Sequence, residues 1–401
     1  MRIGVIIDNE LNHDIRVVQE LQVLREAGHQ LFVLCFGFGP KDKHQAIEGI
    51  HIERIYLKQS VKNILFFVLN RLPIYEWMWT RRIRHFVKKN DIEALHVHDL
   101  YMSRAAYQGV KTLKKRIPFV LDLHENYPTA VKLYNWTKGG LRGFIAAPSQ
   151  WKHKEKKYLG YADKIITLSE DFKADLLAQY PQLQAGNFIV YPNVPDIKKF
   201  NSYTDKEGMK IDLPAPVLLY FGAIAERRGI FVLLRVFKAM ISKGHQATLL
   251  LVGPVDKADR EMFDKMTNDV TVQKHIRYIP WIDISSLPAL FAQSHIALAP
   301  FLKNPQHESG IANKIFQYMY GKLPIVASDC KPQKDLIDKV QCGVTYHTEE
   351  AFFEVLTGLI KDTETCRKLG ENGYHALINE YNIEKMKSRL LSVYESLSTG
   401  C

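Results

Sequence analysis

The segment Tyr220-Phe221-Gly222-Ala223-Ile224-Ala225-Glu226-Arg227-Arg228-Gly229-Ile230 joins an apolar strand end, a glycine turn and two arginines to a helix carrying Ile230, Leu233, Leu234 and Phe237. Backbone amides, the positive end of a helix dipole and guanidinium forks are what a diphosphate requires. A solvated arginine pair in a loop is the bland alternative. No G-x-x-x-x-G-K-[ST] or G-x-G-x-x-G run occurs, and Gly37-Phe38-Gly39-Pro40 stops short of one, which argues against a P-loop or nicotinamide enzyme. A second chemistry-bearing stretch runs from His307 to Asp329. It reads as an acid-bearing glycine loop (Glu308-Ser309-Gly310-Ile311-Ala312), a short helix ending at Gly321, and a buried strand. Asn313 and Gln317 stand at i and i+4, so their amides share the helix face that points at whatever the Gly310 loop cradles.

Such groups act together only if the fold collects them. Short β-branched runs alternate with helical patterns from end to end, which predicts an α/β chain with doubly wound parallel sheets. Strands are expected at Arg2–Ile7, Gln30–Cys35, Ile92–Val97, Pro118–Leu123, Lys164–Leu168 and Phe188–Tyr191, with a helix from Asp14 to Ala27 stopped by Gly28. After a polar stretch, Lys198 to Asp212, a second series is expected at Val217–Phe221, Ala247–Val252, Ile276–Ile279, Ile296–Ala299 and Leu323–Ala327. This divides the chain into domains 1–200 and 201–380, followed by an amphipathic helix within 381–401 (Ile383, Met386, Leu390, Leu391, Tyr394, Leu397). The strands of the first half lead into Asp8-Asn9, His98-Asp99, His124-Glu125, Ser169-Glu170 and Pro192-Asn193; those of the second lead into Gly222, Gly253, Pro300 and Ser328-Asp329. Ligands of open parallel sheets bind at these carboxyl ends. One polar turn means little, but five in one half point to a ligand cleft.

Composition bounds the rest. The 401 residues carry 54 Lys+Arg against 43 Asp+Glu, a formal charge of +11, and 46% are apolar, which excludes disordered and fibrous classes. No apolar run approaches the roughly 18 residues of a membrane span, and the N-terminus does not read as a signal peptide. Five cysteines (35, 330, 342, 366, 401) without C-x-x-C spacing predict a reduced chain with no structural zinc. Nearly all the net charge lies in the first half: residues 51–160 hold 21 basic and 8 acidic side chains. Within it, Trp77-Met78-Trp79 precede Arg81, Arg82, Arg84, Lys88 and Lys89, and a second cluster spans Lys152 to Lys157. Tryptophans beside cations suit an anionic membrane surface through 61–90 and 152–157; a buried helix followed by a solvated one is the alternative. No nucleic-acid motif accompanies the charge, so nucleic acid is not expected as a partner.

Taken together, these segments resemble the retaining glycosyltransferases of family 4, which have the GT-B fold of two Rossmann-like domains across a cleft. Asp14-Ile15-Arg16-Val17 with Glu20, Leu24 and Gly28-His29 resembles the family's D-x-R-V-x-x-E-x-x-x-L-x-x-x-G-H opening. Asp122-Leu123-His124-Glu125-Asn126-Tyr127-Pro128 is similar to its D-x-H-E-x-x-P strand end, and 313–329 to N-K-x-F-E-Y-M-x-x-G-x-P-V-x-A-S-D. The resemblance implies a sugar transferase using a UDP- or GDP-sugar, with no cofactor and no metal. The acceptor would be a glycan or lipid-linked, as in cell-surface polysaccharide biosynthesis. It places Arg228 on the donor diphosphate, His124 near the transferred sugar, and Glu308 with the loop to Ala312 on sugar and phosphate. Gln317 falls where the family's ribose-binding Glu stands. The expected catalytic set is therefore His124, Arg228 and Glu308. Donor binding would add Gly222, Arg227, Gly253, Ser309, Gly310, Ile311, Ala312, Asn313, Lys314 and Gln317; the acceptor side would use Asp8, Asn9, Asp14, Arg16, Asp99 and Glu125. Ala223 stands where the family has an arginine after the first glycine, and Glu308 lies nine positions before Gln317 rather than eight. No close pair of carboxylates suggests double displacement. Same-face substitution is implied, with the leaving diphosphate helping to accept the proton. A cytoplasmic enzyme is expected, peripheral on the inner membrane face if the basic half meets lipid. The C-terminal helix is expected to return to the first domain. Competing readings are a nucleotide-sugar epimerase or hydrolase of the same fold, and a non-catalytic homologue.

Overall fold

A computed structural model describes the chain except for residues 12–13, 40–46, 138, 204–211 and 399–401. The polar stretch expected over 198–212 therefore lies partly outside the described residues, as does Pro40. The chain forms two compact units: Met1–Pro192 together with the residues from Lys387 onward, and Asn193–Met386.

In the first unit seven strands, β1 (Arg2–Ile6), β2 (Gln30–Gly37), β3 (Ile50–Tyr56), β4 (Ala94–His98), β5 (Phe119–Asp122), β6 (Lys164–Thr167) and β7 (Phe188–Val190), form one parallel sheet ordered β3-β2-β1-β4-β5-β6-β7. The order reverses between β1 and β4, which makes their carboxyl ends the switch point. Helix Ile15–Glu26 follows β1, and the Asp14 carboxylate caps it by accepting from the Val17 amide at 3.2 Å. Strand β3, IHIERIY, did not appear in the sequence pattern. It is an edge strand whose residues are mostly half-buried, so Glu53 and Arg54 interrupt any apolar run.

The second unit repeats the plan with β8 (Val217–Phe221), β9 (Thr248–Val252), β10 (Ile276–Ile279), β11 (Ile296–Ala299), β12 (Ile325–Ser328) and β13 (Gly343–Tyr346), all parallel and ordered β10-β9-β8-β11-β12-β13. Both sheets are covered on two faces, so strands such as Leu218–Tyr220 and Leu249–Val252 are apolar throughout and fully buried. The short edge strand β13 is a second addition to the sequence reading. The C-terminal helix Ile383–Ser398 belongs to the first unit from Lys387 on. There Leu390, Val393 and Tyr394 are buried, and the Tyr394 hydroxyl lies 2.7 Å from His96 Nδ1. Cys35, Cys330, Cys342 and Cys366 are free thiols.

Candidate functional site

In the second unit the groups that could meet an anion sit at the carboxyl ends of β8 and β9. Gly222 (φ +119°) and Gly253 (φ +138°) turn the chain sharply there, and a Cβ on Gly253 would fall 2.2 Å from the Gly222 carbonyl oxygen. Only glycine permits that approach. Arg227 and Arg228 occupy the single 3-10 turn Glu226–Arg228, which Gly229 (φ +76°) links to helix Ile230–Ser242. Arg227 pairs loosely with Asp256 at 3.5 Å. Arg228 differs: its Nε is buried without a hydrogen-bond partner among the described residues. Burial, followed by the neighbouring charge of Arg227, lowers its pKa.

Lys314 comes to the same place from helix Asn313–Tyr320. Only 5% exposed, its ammonium lies 3.7 Å from the centre of the Tyr220 ring and 5.3 Å from that of Phe301, again without a hydrogen-bond partner. Its Nζ would be 3.4 Å from a Cβ on Gly222. Burial first, and Arg228 second, push it well below the ordinary lysine range. Two cations with unsatisfied donors therefore flank one glycine turn. In the loop before the helix, Ser309 is buried and donates to the Gln306 carbonyl at 2.7 Å, while the Glu308 carboxylate accepts from the Lys331 amide at 3.2 Å. Ala312 caps the helix through its backbone; Asn313 is exposed and Gln317 half-buried. Gly310 and Ile311 lie between them, also half-buried.

The expected acceptor residues of the first unit separate into two groups. Asp8, Asn9, Asp99, His124 and Glu125 stand at the ends of β1, β4 and β5. Asn9 is exposed; Glu125 accepts from the Tyr134 hydroxyl at 2.6 and 2.7 Å, and Asp99, held at φ +70°, accepts from Tyr101 at 2.9 Å. Asp8 is 3% exposed; the Tyr75 hydroxyl donates to it and the Lys62 ammonium lies 3.2 Å away. Burial pushes its carboxyl up to about 6 against the pull of Lys62 and Tyr75. Lys62 and Tyr75 escaped sequence reasoning because Asp8 lies far off in the chain, and Tyr101 and Tyr134 because a tyrosine two or nine residues from a carboxylate reads as core rather than as its partner.

Arg16 is turned inward instead. It makes a bidentate pair with Asp122 at 3.0 Å, lies 2.9 Å from Glu20 and donates to the Tyr191 carbonyl. It is thus the centre of a buried network rather than a group at the strand ends. Burial alone would raise the Asp122 carboxyl, but Arg16, His96, His124 and His98 together hold it well below the usual range. Burial and the Asp122 charge drive Glu20 the other way, well above its usual value. His98, also buried, shares a hydrogen bond with His124 (Nδ1 to Nε2, 2.8 Å), while Asp14 lies 3.8 Å from the far nitrogen of His124. The ligand-capable atoms of Glu20, His96, His98 and Asp122 all lie within 4.8 Å of one another. That donor set suits a divalent cation chemically, although Arg16 already supplies positive charge to both carboxylates.

Residues 15–199 match the family described as Glycosyltransferase Family 4, and residues 215–362 the one described as Glycosyl transferases group 1. Over 58% of its length the chain is 21% identical to spore coat protein SA of Bacillus subtilis, spanning 64% of that protein, just under two thirds. A capsular polysaccharide biosynthesis glycosyltransferase of Staphylococcus aureus is 23% identical over 77% of this chain and 87% of its own. The phosphatidyl-myo-inositol mannosyltransferase of Mycolicibacterium smegmatis is 21% identical over 95% and 89%. Among solved structures, the sucrose-phosphate synthase of Thermosynechococcus elongatus superposes over the whole of both chains with a TM-score of 0.75 at 16% identity. Anabaena HepE, solved in complex with UDP, covers 99% of this chain and 100% of its own with a TM-score of 0.65 at 13% identity. At such identities the structural likeness speaks to the fold.

Proposed function

This chain belongs to the glycosyltransferases of family 4 and group 1 and has their GT-B pair of parallel α/β domains; from that premise we propose that it transfers a sugar, with retention, from a nucleoside-diphosphate sugar to a hydroxyl of a glycan or lipid-linked acceptor. The observation that carries the reading is the pairing of Arg228, half-buried with its Nε enclosed and without a hydrogen-bond partner among the described residues, with the buried and equally unpartnered Lys314 beside the Gly222 turn. A buried cation without a partner is costly, and a diphosphate satisfies both at once. Lys314 also stands beside Gly222, next to Ala223, while Arg227 pairs loosely with Asp256.

In the proposed reaction the bond from the anomeric carbon to the β-phosphate oxygen breaks and the acceptor oxygen bonds to the same face. The acceptor proton passes to the departing diphosphate. Arg228, Lys314 and the amides around Gly310 stabilise the charge that develops on phosphate, and His124 and Glu308 orient the sugar. Asp8, Asn9, Asp99 and Glu125 receive the acceptor. Polysaccharide or glycolipid assembly is the setting that fits, in line with the names of the Staphylococcus and Mycolicibacterium relatives.

Mass spectrometry of the purified protein with panels of UDP- and GDP-sugars and candidate acceptors tests this. Sugar joined to an acceptor is expected. An altered or freed sugar without acceptor would mean an epimerase or hydrolase, and thermal stabilisation by donor with no turnover at all would mean a non-catalytic binder. Arg228→Ala is expected to lower kcat/KM about 10²–10³-fold with the circular dichroism spectrum unchanged.

A further inference from the structure

Two segments of the first unit expose large apolar side chains side by side. Helix Gln59–Phe67 buries none of its residues fully, and Ile64 on it is 63% exposed. Just after it, Leu72, Ile74 and Trp77 are also exposed, Trp77 at 58%. Helix Gly140–Ala146 adds Leu141 at 74% and Phe144 at 67%. These are neighbours in space. Arg71 donates to the Phe144 carbonyl at 2.6 Å and lies 4.3 Å over its ring, while Asn70 donates to the Ala146 carbonyl at 2.6 Å and accepts from Lys154 at 2.6 Å. The two segments are tied together by their polar groups, which leaves their apolar side chains outward.

Among the described residues of these two segments, the exposed charges are cationic. Lys58, Arg71, Arg81, Arg82 and Arg142 are exposed, and Arg81 lies 4.9 Å over the Trp77 ring. Glu76 is the one carboxylate between residues 58 and 90, and Arg104 pairs with it at 3.1 Å. Glu155, the next acid after residue 140, is buried. Isolated exposed apolar residues are ordinary; a clamped cluster with a tryptophan, on segments whose exposed charges are cationic, has the composition of an interfacial membrane surface.

We propose that this face seats on an anionic phospholipid surface, with Ile64, Leu72, Trp77, Leu141 and Phe144 entering the headgroup–acyl boundary and the arginines meeting lipid phosphates. The structure redraws the surface expected from sequence. Trp79, Ile83 and Phe86 are core and Lys154 is bound to Asn70, while 140–146, outside that expectation, joins the surface. Helix Gln59–Phe67 also has a second role. While Ile64 faces outward, Lys62 reaches Asp8 and the Phe66 ring lies 5.0 Å from Tyr101. The membrane-facing element is thereby the one that lines the strand ends proposed for the acceptor, in keeping with a lipid-linked one. The lipid-seating claim itself stands apart from the transfer reaction.

Vesicle co-sedimentation of the full chain, with no sugar present, tests the proposal. Binding is expected to phosphatidylglycerol-containing vesicles and to be at least tenfold weaker to pure phosphatidylcholine. Trp77 emission should shift to the blue, with quenching by brominated lipid. Leu141→Ser with Phe144→Ser should abolish binding without altering thermal unfolding. Arg142→Gln and Arg81→Gln should each weaken it about fivefold. No binding to anionic vesicles, equal binding to both lipids, or undiminished binding by the double serine variant would overturn it. So would a dimer, seen by analytical ultracentrifugation, that the double variant dissociates, since the occupant would then be a second copy.

Discussion

Lys314 gives up hydration and hydrogen bonds to lie against the Tyr220 ring, and burial holds it well below the lysine range. A lysine so depressed is charged more readily in the unfolded chain, so its burial destabilises the fold at neutral pH and ceases to do so only as pH rises toward the unfolded value. Lys314→Met keeps the volume and removes the charge. The ligand-free protein should therefore unfold about 2–4 °C higher for each kcal/mol recovered, while turnover falls about 10²-fold and stabilisation by nucleotide is lost. Thermal scans with and without UDP, beside kinetics, check both halves. Asp8 makes a different prediction. Its carboxyl, raised from 3.8 to about 6, holds its proton more tightly folded than unfolded. Stability should accordingly fall by about 3 kcal/mol as pH rises from about 3 to 7, and Asp8→Asn should flatten that slope in urea titrations. Arg228, Lys314, Asp8 and Glu125 could be read from the sequence because strand ends and glycine turns advertise them. Tyr220 and Lys62 could not, since a tyrosine inside an apolar strand and a lysine on an apolar helix look like core and solvated face.

Among the elements, the strands legible in the sequence are the interior strands buried on both faces, and the edge strands β7 (FIV) and β10 (IRYI), which are rich in β-branched and aromatic residues. The edge strands β3 and β13 escaped sequence reasoning because half-buried positions tolerate Glu53, Arg54 and Thr345. The β8 and β9 turns matter more to the site than any strand length. A side chain at Gly229 would place its Cβ 1.5 Å from the Pro300 carbonyl oxygen, and one at Gly253 would strike Gly222. Gly229→Ala and Gly253→Ala should each cost more than about 3 kcal/mol, seen as a lower denaturant midpoint of the second unit. Arg16, by contrast, belongs to an element-level clamp. Through Asp122 and the Tyr191 carbonyl it joins helix Ile15–Glu26 to β5 and to the end of β7. Arg16→Met should unfold the first unit at lower denaturant, by about 3–5 kcal/mol, because it strands the buried Asp122; equal midpoints would assign it elsewhere.

For the molecule as a whole, the +11 charge is lodged in the unit that carries the apolar patch, while the residues from 201 onward are close to neutral. One diphosphate needs two or three cations, so the surplus belongs to whatever the first unit meets. That unit is also discontinuous in sequence: it closes only when Leu390, Val393 and Tyr394 fill its interior and the Tyr394 hydroxyl reaches His96. Ending the chain after Met386 should leave residues 193–386 folded and the first unit loosened, with amide exchange accelerated in β1 and β4; Tyr394→Phe should cost about 1–3 kcal/mol. The same discontinuity orders events at the ribosome. The N-terminal half emerges first, yet its last buried residues follow after some 200 more have been made, roughly 10–40 s at about 5–20 residues per second. During that interval the interior that Leu390, Val393 and Tyr394 fill, beside His96, stands open. The unit synthesised first is therefore the one finished last, and the one with most need of a chaperone.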